Sequence, residues 1–217
     1  MNRILARVLQ SALLAATLAG CVAAVVPALF VTSVGGAAYV VNDRRAPDTM
    51  IADQRIQKTS TSRIQDELKT DVRVDAISYN RQLLLLGEAR TDEIKERAGR
   101  IAAGVEGVRQ VYNEISVTDK LGFRAVASDA SLSTQVKARM VGDTATNPLN
   151  IHVTTQEGVV YLMGLVTHKE ADAASRIAAS TGGVKRVVRM FEYIPDNAAD
   201  AKVESTSQST ATPQAAR

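Results

Sequence analysis

The sequence predicts an α+β fold: two copies of an αββαβ unit, each a small three-stranded mixed sheet packed by two helices. Three observations predict it. The chain repeats itself, with Gly87 and Gly164 77 residues apart, and with Arg100-Ile101-Ala102-Ala103 and Gly107-Val108 recurring 76 residues later as Arg176-Ile177-Ala178-Ala179 and Gly183-Val184. Self-similarity at a fixed period marks a duplicated module, and the one-residue change of offset corresponds to one helix being a residue shorter. Each copy carries an alternating apolar strand followed by a strand apolar on both parities, which reads as covered on both faces. Each copy also places apolar residues at helical spacing before and after that pair of strands.

In the second copy, Leu149, Ile151 and Val153 alternate with polar residues, Gln156-Glu157-Gly158 turns, and Val159 to Val166 is the both-parity strand with Gly164 inside it. A helix follows from Lys169 to Ser180, stopped by Gly182-Gly183, and a closing strand runs from Val184 to Ile194. Leu132, Val136 and Met140 form the core stripe of the helix that opens this copy, with Asp129 as its N-cap. In the first copy the corresponding elements are a helix from Gln54 to Lys69, a strand from Val72 to Ser78, a turn at Asn80-Arg81 and a buried strand from Leu83 to Ala89. Thr91 caps the next helix, Gly104 and Gly107 end it, and the last strand spans Val108 to Val117. The copies occupy residues 50–118 and 129–194, joined by a linker over 119–128. Residues 195–217 are Ala, Ser, Thr, Gln and Pro with scattered charge and are expected to be a disordered tail.

Residues 1–20 have the three regions of a secretory signal peptide. Leu18-Ala19-Gly20-Cys21 resembles the lipobox of bacterial lipoproteins, and Cys21 is the only cysteine of the chain. The resemblance implies cleavage before Cys21 and acylation of its sulfur and its new amine (palmitate is the expected chain), which would anchor the protein durably where one chain alone would not. An unpaired cysteine in an exported protein otherwise needs explaining. Val22 follows the cysteine where an Asp resembles an inner-membrane retention signal, so the outer membrane is favoured. Residues 21–49 are read as a lipidated membrane-proximal segment and linker. Val22 to Val41 is apolar but interrupted by Pro27 and Gly35-Gly36, and a second membrane span is the alternative.

The overall balance of charge excludes little by itself, since the net charge of +3 includes Arg3 and Arg7 of the leader. The first copy has 11 basic and 11 acidic side chains and the second 7 and 6, and the chain has no Trp. Neither copy is basic in the way that phosphate-backbone binding needs, so nucleic acid is not an expected partner. No hydrolase elbow, phosphate loop or zinc-binding helix motif is present. His152 on the polar parity of its strand and His168 at a helix start read as ordinary surface histidines. No catalytic residue, metal ligand or cofactor is predicted.

The order of elements, the strand endings Leu86-Gly87 and Met163-Gly164, and the Gly-Val that opens each last strand resemble the BON domain (bacterial OsmY and nodulation). Two such units behind a lipobox resemble the dual-BON outer-membrane lipoproteins. One position departs: Arg189 stands where the first copy has Asn113. The resemblance implies phospholipid binding, support of the envelope and its stress response, and no catalysis. It points to the second module for the lipid, and Lys137, Arg139 and Val141 on its first helix are the expected contact with anionic phospholipid. Binding of another envelope protein, for example at a sheet edge, is the alternative. Gly87 and Gly164 are expected to be structural, allowing close helix-on-strand packing or a bulge, with ligand approach as the other reading.

Overall fold

The structure, a computed structural model, describes residues 43–118 and 126–196. Pro47 opens α1 (Pro47–Leu68), where a missing N–H costs nothing because the first helical amides have no partner in the helix. The sequence reading starts this helix at Gln54. The polar run before it is therefore short, and α1 gains two turns. One 3₁₀ turn (Lys69–Asp71) leads into β1 (Val72–Tyr79), which pairs antiparallel with β2 (Gln82–Ala89). Thr91 caps α2 (Asp92–Ala103) as expected, its hydroxyl accepting from the Ile94 amide. The last strand is broken into β3 (Gln110–Asn113) and β4 (Ser116–Val117), both parallel to β2.

The second module repeats this order. Its elements are α3 (Val126–Val141), a 3₁₀ turn (Pro148–Asn150), β5 (Ile151–Gln156), β6 (Val159–Val166), α4 (His168–Ala179) and β7 (Arg186–Tyr193). Its sheet has the order β5-β6-β7, antiparallel then parallel. Thr167 and Glu170 form a full capping box at the start of α4. Each module is thus the α+β unit the sequence predicts.

Strand alternation sorts the side chains onto two faces. Val72, Ala76, Leu83 and Leu85 face α1 and α2, and Ile151, Val153, Val160 and Leu162 face α3 and α4. The other parity forms a third core that neither module could bury alone. Ile77, Tyr79, Leu84 and Leu86 of the first sheet meet Tyr161, Met163 and Met190 of the second. The two sheets therefore pack face to face, with a helical layer outside each. The both-parity strands β2 and β6 are central because each is covered by helices on one side and by the other sheet on the other.

Asp129 is inside α3 and is not the N-cap. Its carboxylate accepts from the Glu157 and Gly158 amides at 2.8 and 2.9 Å, clasping the β5–β6 turn. Asp53 does the same in the first module, accepting from Asn80 and Arg81 at 2.8 and 2.7 Å. Both turns need these bonds, since Asn80, Arg81 and Glu157 all have positive φ, a conformation unfavourable for residues with a Cβ.

The two glycines fit tightly, against the neighbouring strand and not against a helix. A Cβ on Gly164 would stand 2.5 Å from the Asn150 carbonyl oxygen. Gly87 has φ +126°, and a Cβ there would collide with the Arg73 carbonyl. This conformation turns the Gly87 peptide toward the second module. Its N–H donates to Gln156 Oε1 at 2.6 Å, and its carbonyl accepts from Gln156 Nε2 at 3.2 Å. The gap between β3 and β4 lies opposite, with register unchanged on either side: Leu85 faces Asn113 and Glu88 faces Ser116.

Candidate functional site

The amphipathic surface of α3 is set by its core stripe. Leu132, Val136 and Met140 are buried, so Lys137 and Val141, one residue on from the last two, fall beside the buried face and are exposed. Val141 is 71% exposed. Asp129 near the start of α3 clasps the β5–β6 turn, so the helix runs back toward the start of β5, where the charge of Lys137 bears on His152. Arg139 is two residues further round and turns the other way. Its guanidinium donates to Thr181 Oγ1 at 2.9 Å and reaches the Ile177 carbonyl at 3.5 Å, at the C-terminal end of α4, where a cation suits the helix dipole. Arg63 makes the equivalent contact to the Gly104 carbonyl in the first module. The structure thus brings Lys137 and Val141 together and separates Arg139 from them. Cys21 lies outside the described residues, as do most of the linker and the tail beyond residue 196.

His152 is not an ordinary surface histidine. It is half-buried, and burial, then the nearby charges of Lys137 and Arg45, push it down to about 4, so the ring is neutral at physiological pH. His168 is exposed and stacks on Tyr193, with ring centroids 4.1 Å apart. The Arg189 departure keeps its structural purpose. Asn113 donates to the Lys95 carbonyl of α2, and Arg189 pairs with Asp172 of α4 at 3.0 Å, so each ties a last strand to its helix.

A strap that sequence reasoning placed in the linker joins the modules. Arg44 donates to both carboxylate oxygens of Glu170, at 2.7 and 2.9 Å, and to the Leu165 carbonyl. Burial alone would raise Glu170, but hydrogen bonds from Arg44 and the Thr167 amide bring it below its usual range. Arg45 pairs with Asp43 and Asp53 and lies 4.1 Å over the Tyr79 ring. Nothing periodic announces the Arg44 bonds, because their partners Leu165 and Glu170 are more than a hundred residues away. The aspartate clasps could have been found, since Asp53 and Asp129 obey the repeat offset.

Comparison with known proteins matches the BON domain at residues 52–119 and again at 128–195, one match for each module. The chain belongs to the BON-domain family. It is 38% identical over 181 residues to the outer membrane lipoprotein DolP of Haemophilus influenzae, spanning 82% of this chain and 90% of that one. It is 30% identical over 154 residues to a 21 kDa hemolysin of Actinobacillus pleuropneumoniae, spanning 70% and 79%. Identity to the osmotically-inducible protein Y of Escherichia coli is 32% over 123 residues, spanning 55% and 57%. The protein is a dual BON-domain lipoprotein of the outer membrane. Among the described residues no helix is long and apolar enough to cross a membrane.

Proposed function

We propose that this lipoprotein is non-enzymatic, held by acyl chains on Cys21 facing the periplasm, and that it binds anionic phospholipid through its second BON domain to support outer-membrane integrity. The observation that carries the lipid contact is the exposed pair Lys137 and Val141, a cation and an apolar side chain on one stripe beside the core face of α3. The alkyl stem of Lys137 and the Val141 side chain can enter the headgroup layer while the ammonium meets phosphate. Arg139 adds charge to the same helix, but its guanidinium is shared with the end of α4, so Lys137 is the better test. Near an anionic surface each basic residue contributes about 1 kcal/mol. Lys137→Glu reverses the charge, and a soluble form beginning at Asn42 should lose roughly tenfold or more in affinity for anionic liposomes, with neutral liposomes indifferent. Unchanged affinity in Lys137→Glu, with binding still weakened by salt, would move the contact elsewhere.

The alternative reading, an adaptor for another envelope protein, is favoured by β7. This eight-residue strand closes the second sheet with one edge unpaired among the described residues. In that case anionic liposomes would not retain the soluble form at all.

A further inference from the structure

Five large apolar side chains are exposed among the described residues: Ile51 (60%), Val141 (71%), Leu149 (37%), Tyr193 (48%) and Val117 (43%). Isolated exposed apolar residues are ordinary. Their placement here is not scattered. Asp53 clasps the Asn80-Arg81 turn, so the first turns of α1, with Ile51, lie at the β1–β2 hairpin end of the first module. That hairpin meets the start of β5 and the end of β7. The Tyr79 hydroxyl donates to the Asn150 carbonyl at 3.1 Å, Asn80 Nδ2 donates to Glu192, and Arg109 pairs with Glu192 at 2.8 Å. Leu149 precedes β5, Tyr193 ends β7, and Val141 ends the helix whose Lys137 bears on His152. Four of the five therefore share one end of the sandwich. Val117, opposite Ala89 at the end of β2, is at the other.

The chain also enters the folded unit at the four-residue end. Arg44 and Arg45 fasten it there, to Glu170, Leu165 and Tyr79. Upstream, Asp43 is 22 residues from Cys21, and Val22 to Val41 is apolar in sequence. Exposed Lys137, Arg55 and Lys169 flank this end, as suits an amphipathic contact with lipid. We infer that this end of the sandwich docks on the bilayer surface and that both domains form it, Ile51 from the first and Leu149, Tyr193 and Val141 from the second. The inference rests on the acyl-anchored reading of Cys21 and extends the lipid contact beyond α3. It stands the strands toward the membrane, with Val117 lifted clear by about one strand length, roughly 25 Å at 3.3 Å per residue.

The chain has no Trp, so a single introduced Trp reports only its own position. Ile51→Trp, Val141→Trp, Tyr193→Trp and Val117→Trp would each be made in the full acylated protein. All four sites are exposed, and an unchanged unfolding midpoint would qualify each variant. Each would be reconstituted into phosphatidylethanolamine–phosphatidylglycerol vesicles whose acyl chains are brominated. The expected result is at least twofold quenching at Ile51→Trp, Val141→Trp and Tyr193→Trp and none at Val117→Trp. Quenching at Val141→Trp without quenching at Ile51→Trp would leave the α3 contact standing and overturn the shared end. No quenching at any site, with the protein still floating with the vesicles, would overturn both. An Ile51→Trp unquenched on vesicles yet shielded from acrylamide in native outer membranes would assign this end to a protein partner and overturn the inference.

Discussion

Asp129 separates two accounts of one residue. As an N-cap it would hold the start of α3, and serine would replace it with little loss, since Ser and Asp cap helices about equally well. As the clasp seen here it accepts two amides of the β5–β6 turn at 2.8 and 2.9 Å, and Glu157 in that turn has φ +54°. Hydrogen bonds to a charged group contribute about 1.5–3 kcal/mol each. Asp129→Ala leaves two amides to find water in a partly buried turn, and the expected loss is about 2–4 kcal/mol. For a unit of this size that lowers the unfolding midpoint by about 5–15 °C. Asp129→Ser should be nearly as damaging, because one short hydroxyl cannot reach both amides. Circular dichroism melts of the three proteins decide it. A serine variant as stable as the parent, beside a weakened alanine variant, would restore the capping account and refute the clasp. Asp53→Ala should do at least as much harm, since Asp53 also receives Ser78 and Arg45.

His152 predicts a pH dependence. Its folded pKa is held near 4 against an ordinary 6.5, so between those values the unfolded chain binds a proton that the folded chain refuses. Its contribution is fully present above pH 6.5 and is lost as pH falls toward 4, about 2 kcal/mol in all after allowing for partial solvent screening. His152→Gln should flatten the unfolding midpoint across that window, and an unchanged slope would refute it. For the glycines, Gly87→Ala should lower the midpoint more than Gly164→Ala, because only Gly87 combines a positive φ with a backbone collision; Gly164→Val should itself cost about 1–3 kcal/mol. Equal melting of the two alanine variants would contradict this. Cys21→Ala should abolish acylation and leave the protein unprocessed or released from outer-membrane fractions, whereas a normal mature mass and normal fractionation would exclude the anchor.

The order of elements was legible because it depends on local periodicity. Val159 to Val166 reads directly as a strand with two covered faces, and its limits are those of β6. What covered the second face was not legible, since β2 and β6 can be matched to many partners by apolarity alone. Arg44 and Arg45 illustrate the same limit. Two arginines before a proline look like solvated linker; Arg45 folds back on Asp53 and Tyr79 of the first domain, and Arg44 finds Glu170 only because the second domain docks beside it. Counting charge along the helix groups Arg139 with Lys137. A separation of two residues is 200° of rotation, which carries it to the far side of the core stripe.

The face-to-face packing gives a physical reason for the duplication. Leu84 is fully buried and Leu86 nearly so, yet both point away from their own helices and into the shared core. Burying such a side chain is worth about 1.5–3 kcal/mol, so a first domain alone would forfeit several kcal/mol of a stability that is small to begin with. The second domain supplies the missing cover with Tyr161, Met163 and Met190. Once docked, the two copies are no longer free to be identical. Gly87 adopts φ +126° to hand its peptide to Gln156, while Gly164 stays in an ordinary strand conformation. Because the sheets cover one another, most of each inner sheet face is withdrawn from ligands, apart from a cleft where Asp75, Leu86 and Glu88 of the first domain stand across from Thr154 and Gln156 of the second. A lipid surface can then meet only helices, strand edges or the ends of the sandwich, which is where Lys137, Val141 and the strap from the anchored segment are found.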